Sequence, residues 1–332
     1  MKMETPRNAD EMVFEETISL GCNCHVAWHL RCNLLRMASM PFDWLVTPYV
    51  AKVHSLIENK FIGFMDRDNM KRDAQSGKMF DIESEVQFFH DFLPCDLEIQ
   101  YEYVFEKYRR RTSRFMAALE SKKCLFIRQQ SKTDSFQECV ALGEYLRGFN
   151  KENCLYIITN DECEKLQIKQ IFDGIFCVSM SHKSCALLSH PFGNDMHWLE
   201  LLRNIYHPSN HMIKKLFENT MENLTDTAVQ SGREVVFWGC GNIACYILRY
   251  FLCRGIVPKF YDRNKAIILN AKYERISKDK FLPHPDRYFV VVTPLAMPDR
   301  DVIAEELKSN GFERHTDYCA VPRINHLYNP WT

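Results

Sequence analysis

The 332-residue chain lacks any stretch approaching 18 consecutive apolar residues, so no membrane-spanning helix is expected. Residues 1–12 are charged and polar, without an apolar core or a small-residue cleavage site, so no secretory signal is expected there and a cytoplasmic location is. An excess of charge is also missing. Forty-two Lys and Arg against 43 Asp and Glu leave a net charge of −1, which gives no reason to expect nucleic acid or an anionic membrane as partner. The basic run at Arg109, Arg110 and Arg111 reads as a solvated helix face. A second Cys-x-x-Cys pair at zinc spacing is absent too, so no metal is expected at the cluster Cys22, Cys24, His25 and His29.

What is present is a globular composition, 46% hydrophobic and 26% charged, over a length sufficient for two domains of ordinary size. The fourteen cysteines are scattered, and several lie in apolar runs (Cys124, Cys154, Cys177, Cys245, Cys253), where a reduced thiol behaves as a small core hydrophobe.

Residues 17–45 carry the densest chemistry. A β-prone run from Thr17 to Leu20 meets Gly21, and a helical pattern follows with Val26, Ala27, Leu30 and Leu34 on one face. Cys22 and Cys24 therefore fall where a strand hands over to a helix. Backbone N–H groups at a helix start carry partial positive charge, which predicts a thiol pKa below the free value of about 8.5 and a nucleophilic role. Pro41-Phe42-Asp43-Trp44-Leu45 then forms a compact aromatic turn around one carboxylate, serving either packing or an acid held near the thiol.

Ser19-Leu20-Gly21-x-Asn23-Cys24, followed by Ala27, Leu30-Arg31, Leu35-Arg36, Ser39 and Pro41–Leu45, resembles a bacterial family named for papain-like cysteine peptidases. Phe89-His90-Asp91-Phe92 and Phe126-Ile127-Arg128 fit the same pattern, and the resemblance extends to roughly residue 160. It implies Cys24 as nucleophile, with Cys22 at a variable position, and His90 as base. The chemistry requires the imidazole within hydrogen-bond reach of the thiol and a third group to hold its tautomer. Asp91 and Asp43 both remain open as that group.

The wider pattern predicts an α/β fold in two domains, 13–224 and 233–322, each with a mainly parallel sheet covered by helices. In the first, apolar strands at residues 124–128, 154–159 and 175–179 alternate with helices at 135–149 and 164–171. Such an alternation argues against a true papain fold, which pairs a helical lobe with an antiparallel barrel. Residues 225–234 read as the linker.

In the second, the strand Val235–Trp238 runs into Gly239-Cys240-Gly241-Asn242-Ile243-Ala244, an apolar helix follows, and a strand at 258–261 ends in Asp262. This is a Rossmann-like order, in which glycines admit a phosphate to a helix N-terminus and the acid holds a ribose. Gly239, Gly241, Asn242 and Asp262 are the candidate binding residues. Gly-x-Gly-Asn, the helix and Tyr261-Asp262-x-Asn264-Lys265 resemble small Rossmann domains attached to bacterial glycosyltransferases and the nucleotide-sugar-binding halves of sugar acetyltransferases. Cys240 between the glycines, and the missing glycine after Lys265, depart from that pattern.

Three functional readings follow. One is a cysteine hydrolase or acyl transferase using Cys24, His90 and Asp43 or Asp91, acting on a small-molecule, peptide or glycan-linked substrate, with an accessory domain for a nucleotide or nucleotide-sugar. The second is a non-catalytic nucleotide-sugar-binding protein of surface polysaccharide assembly. The third is an NAD- or S-adenosylmethionine-dependent enzyme, ranked last because no partner for hydride or methyl transfer accompanies the glycine loop.

Overall fold

A computed structural model describes residues 11–92, 97–161, 163–181, 195–267, 269–294 and 297–321. Their contacts divide them into two compact α/β units, one formed by residues up to 181 together with Glu200–Asn210, the other by residues 195–199 and from His211 onward.

The first unit begins with β1 (Met12–Val13), β2 (Glu16–Ser19) and α1 (His25–Cys32). Next come β3 (Leu45–Val46), α2 (Val50–Glu58), β4 (Met70–Arg72), β5 (Met79–Asp81), β6 (Gln87–Phe88) and α3 (Leu97–Ser121). The chain continues through β7 (Cys124–Gln129), α4 (Phe136–Phe149), β8 (Cys154–Asp161), β9 (Gln167–Phe172) and β10 (Ile175–Ser181). After α5 (Asp195–Leu202), β11 (Ile205–Tyr206) pairs in parallel with β1.

The main sheet has the order β2-β7-β8-β10-β9. Its first four strands are parallel, with Ile18 opposite Phe126, Phe126 opposite Leu155, and Leu155 opposite Ile175. The buried runs of β2 and β7 follow from cover on both faces, as the sequence predicts. Ser135 and Glu138 start α4 with a reciprocal capping box, each side chain accepting from the other's backbone N–H.

Two departures from expectation matter. Residues 164–171 were expected to form a short helix, yet 167–172 form β9, antiparallel to β10 at the sheet edge. Pairing with β10, from Phe172 opposite Ile175 to Gln167 opposite Ser179, prevails over a helical reading of a mixed, exposed run. The other departure is a four-stranded antiparallel sheet, β3-β6-β5-β4, which begins at the end of the aromatic turn and was not expected. Its core joins Phe42, Phe61, Phe64, Phe88 and Phe115, with Phe42 and Phe61 ring centroids 5.6 Å apart and Phe61 and Phe115 5.7 Å apart. Phe42 is wholly buried, so packing accounts for that part of the Pro41–Leu45 turn.

The second unit contains α6 (His211–Ser231), β12 (Glu234–Trp238), α7 (Asn242–Cys253), β13 (Lys259–Tyr261), α8 (Lys278–Phe281), β14 (Tyr288–Val292), α9 (Met297–Ser309) and β15 (Tyr318–Ala320). Its four strands are parallel in the order β13-β12-β14-β15. Helix α6 runs through residues 225–231, which were read as linker, because Leu224, Thr225 and Ala228 continue its buried face.

Candidate functional site

In parallel sheets ligands gather beyond the carboxyl ends of the strands. At that end of β2 lies the turn from Leu20 to Cys24. Gly21 has φ +80°, and a side chain there would put Cβ 2.4 Å from Thr47 Oγ1, so both conformation and space require glycine. Cys22 also adopts positive φ, 76°, which costs a non-glycine residue on the order of 1–2 kcal/mol. Surrounding bonds hold it there. The Cys22 N–H donates to Thr47 Oγ1 at 2.7 Å, and the Thr47 N–H donates back to the Cys22 carbonyl at 3.2 Å.

Cys24 follows as the N-cap of α1, with the Asn23 side chain accepting from the His25 N–H at 2.9 Å. The thiol is partly exposed. Burial pushes its pKa up from the ordinary value, and its own backbone N–H opposes this only in part. Desolvation of the thiolate thus raises the pKa where the helix start was expected to lower it. Cys22 is likewise raised by burial, with Arg128 pulling it down and Asp134 pushing it up. The neighbouring His25 is held below its usual pKa by burial, against a hydrogen bond with Gln129 that favours its protonated form.

The other sequence candidates lie along β3 and β6. His90 is exposed, two residues beyond β6, and meets the Trp44 ring edge-on at 6.3 Å between centroids. Asp91 accepts from Tyr108 Oη at 2.7 Å and pairs with Lys107. Asp43 is buried, accepting from Arg36 Nε at 2.7 Å and from the Met40 N–H at 2.8 Å. The two carboxylates thus hold α3 and the aromatic turn respectively. Among the described residues, neither forms a hydrogen bond with His90, and none joins His90 to Cys24. The two residues of β3, Leu45 and Val46, separate Thr47, which holds Cys22, from Trp44, which meets His90, a span of roughly 10 Å of extended chain.

Sequence reasoning missed the residue that ties this region together. Arg128, at 0% exposure, donates to the carbonyls of Leu20 and Thr47, to Thr47 Oγ1 and to Asp134. The available signals were its place in the Phe126-Ile127-Arg128 match and a charged residue closing the apolar run Cys124–Ile127, neither of which reveals its partners.

With this geometry in view, a family model described as "Putative papain-like cysteine peptidase" matches residues 15–155. Residues 15–155, less than half of the chain, are similar to this family. The matched segment of this papain-like family domain holds Cys24, Asp43, His90, Asp91, Arg128 and Asp134 together. An uncharacterized protein of Acanthamoeba polyphaga mimivirus is 30% identical over 138 residues, covering 35% of this chain and 61% of the relative, less than two thirds of its length. No solved structure matches the chain significantly.

In the second unit Gly239 has φ +110°, and a Cβ there would lie 2.4 Å from Thr293 Oγ1. Gly241 has nothing within 4 Å of that position and serves as the N-cap of α7. Asp262 accepts from the Cys240 N–H at 2.7 Å and the Asn264 N–H at 2.8 Å, so its carboxylate fastens the glycine loop to the end of β13. The Cys240 thiol is pushed up to about 12 by burial and by Asp262, which makes it inert. The side chain of Asn242 lies outside the described atoms. Among the described residues, no group of three or more His, Cys, Asp or Glu side chains is placed to hold a metal, and no helix is long and apolar enough to cross a membrane.

Proposed function

We propose that the papain-like family domain is a cysteine-dependent hydrolase or acyl transferase with Cys24 as nucleophile. The observation that carries this reading is the seat of Cys24: a partly exposed thiol at the N-cap of α1, beyond the carboxyl end of a parallel strand, on a turn held in a strained conformation. Because burial keeps the thiol protonated at neutral pH, the reaction needs a base at the moment of attack rather than a standing thiolate. His90 takes that role from its place beside Trp44. The Cys24 sulfur adds to a substrate carbonyl as the imidazole takes its proton. Collapse of the adduct returns that proton to the departing amine or alcohol and leaves a thioester on Cys24. Water then yields a hydrolase, and another nucleophile a transferase. Asp91 orients His90 only if it is released from Lys107 and Tyr108.

For the second unit we propose a Rossmann-like accessory site for a nucleotide or nucleotide-sugar. Support comes from the parallel order β13-β12-β14-β15 and the open space at Gly241. The ribose would share Asp262 with the Cys240 and Asn264 amides.

The test is acyl trapping. The full chain is mixed with an activated acyl ester, such as p-nitrophenyl acetate, and quenched in acid. Peptide mass analysis is expected to find an acyl group on Cys24, absent in Cys24→Ser. Acylation spread over surface lysines with none on Cys24 would reject the reading.

A further inference from the structure

We infer that Arg128, acting through Thr47, is a positioning residue for Cys24; this rests on Cys24 being the nucleophile. Every N–H of the guanidinium is committed. Nε donates to Asp134 at 3.0 Å, Nη1 to the Leu20 carbonyl at 3.0 Å and to Thr47 Oγ1 at 2.6 Å, and Nη2 to the Thr47 carbonyl and to Asp134, both at 2.8 Å. Asp134 is fixed in turn, accepting from the Val50 N–H at 2.7 Å and the Ser131 N–H at 3.0 Å. The guanidinium is thus a planar fork held from behind by a carboxylate and aimed at one turn.

That aim makes the arrangement more than a stability element. Arg128 grips the turn on its strand side at Leu20 O. Through Thr47 it also reaches the far side, because the same Thr47 Oγ1 that accepts from Nη1 accepts from the Cys22 N–H. The Thr47 N–H closes the loop on the Cys22 carbonyl. Cys22 is held at φ 76°, and Asn23, which accepts from His25, carries the constraint into the first turn of α1, where Cys24 sits. Since Oγ1 accepts from both Arg128 and Cys22, removing that single oxygen takes away the direct link from the guanidinium to the Cys22 N–H while leaving the Thr47 backbone bonds and the Arg128–Asp134 pair intact.

The experiment compares Thr47→Val, which keeps the shape and removes the oxygen, with Thr47→Ser, which keeps the oxygen and removes a methyl. Two quantities are read on the full chain: hydrogen exchange at the Cys22 amide, and the pH profile of Cys24 alkylation by iodoacetamide. Thr47→Val is expected to speed Cys22 exchange by about tenfold or more and to shift the alkylation midpoint, while Thr47→Ser retains the wild-type profile. Wild-type exchange and profile in a folded Thr47→Val would overturn the inference. Should Thr47→Val fail to fold, the wild-type amide decides: protection at Cys22 matching the β7 amides supports the clamp, and exchange at the rate of an open loop overturns it. If acyl trapping finds nothing on Cys24 while Thr47→Val still moves both quantities, the catalytic reading fails and the mechanical link stands.

Discussion

Arg128 and Asp134 meet at 2.8 Å with neither side chain reachable by solvent. Removing one partner of such a pair leaves an uncompensated buried charge, which costs about 3–5 kcal/mol. Arg128→Met is therefore expected to lower the urea-unfolding free energy by that amount. Asp134→Asn leaves the Arg128 charge buried without a counter-charge and turns one of two accepting oxygens into a donor facing other donors, so it is expected to cost at least as much. Equal, small effects from both would show that the pair contributes little to folding.

The glycines give a contrast readable in one thermal series. Gly21→Ala and Gly239→Ala each place a Cβ 2.4 Å from a threonine oxygen at positive φ, and each is expected to cost at least about 1–2 kcal/mol. Gly241→Ala meets open space at negative φ and is expected to stay within about 0.5 kcal/mol of wild type. If Gly241 admits a ligand, the same substitution weakens binding of uridine diphosphate without touching stability. A large stability loss at Gly241 would contradict the open geometry.

Thiol titration sets an alkaline limit. Cys124, Cys139 and Cys240 are all pushed up to about 12 by burial, whereas an unfolded thiol ionises near 8.5–9. The unfolded chain thus loses these protons first, so the contribution is complete below about pH 8.5 and is lost as pH rises toward 12. The urea midpoint is expected to fall between pH 8.5 and 10.5, and Cys124→Ala is expected to show a shallower fall. A flat midpoint over that range would mean that these thiols are not desolvated.

The parallel strands were legible because strands buried on both faces become continuous apolar runs, as Val235–Trp238 and Tyr288–Val292 illustrate. The turn at Gly21–Cys24 was legible from the change of periodicity alone. Strands β3 and β6 were not, since two residues cannot display a period. Nor was the role of Arg128, whose partners Thr47 and Leu20 lie 81 and 108 positions away and whose charge imitates a solvated strand end. Asp43 and Asp91 read as free carboxylates because sequence does not reveal that Arg36 and Tyr108 engage them.

Asp91 also separates the two roles open to it. Tyr108→Phe removes the 2.7 Å hydrogen bond to Asp91 and is expected to cost about 1 kcal/mol in stability. If Asp91 orients His90 once released, acyl transfer to Cys24 rises when Lys107→Met is added to that variant. Unchanged acyl transfer with the same stability loss would confine Asp91 to anchoring α3.

The most direct test of the account is the pH dependence of Cys24 alkylation, followed by peptide mass analysis in wild type and His90→Ala. Burial without a standing ion pair predicts a thiol slow at pH 6 that gains rate with a midpoint above the free-cysteine value in both proteins, whereas acylation by p-nitrophenyl acetate at pH 7 depends on His90. Acylation that survives His90→Ala unchanged would contradict the assignment of His90 as base. A Cys24 that neither alkylates faster than the core thiols nor acylates at all would end the case for a cysteine nucleophile.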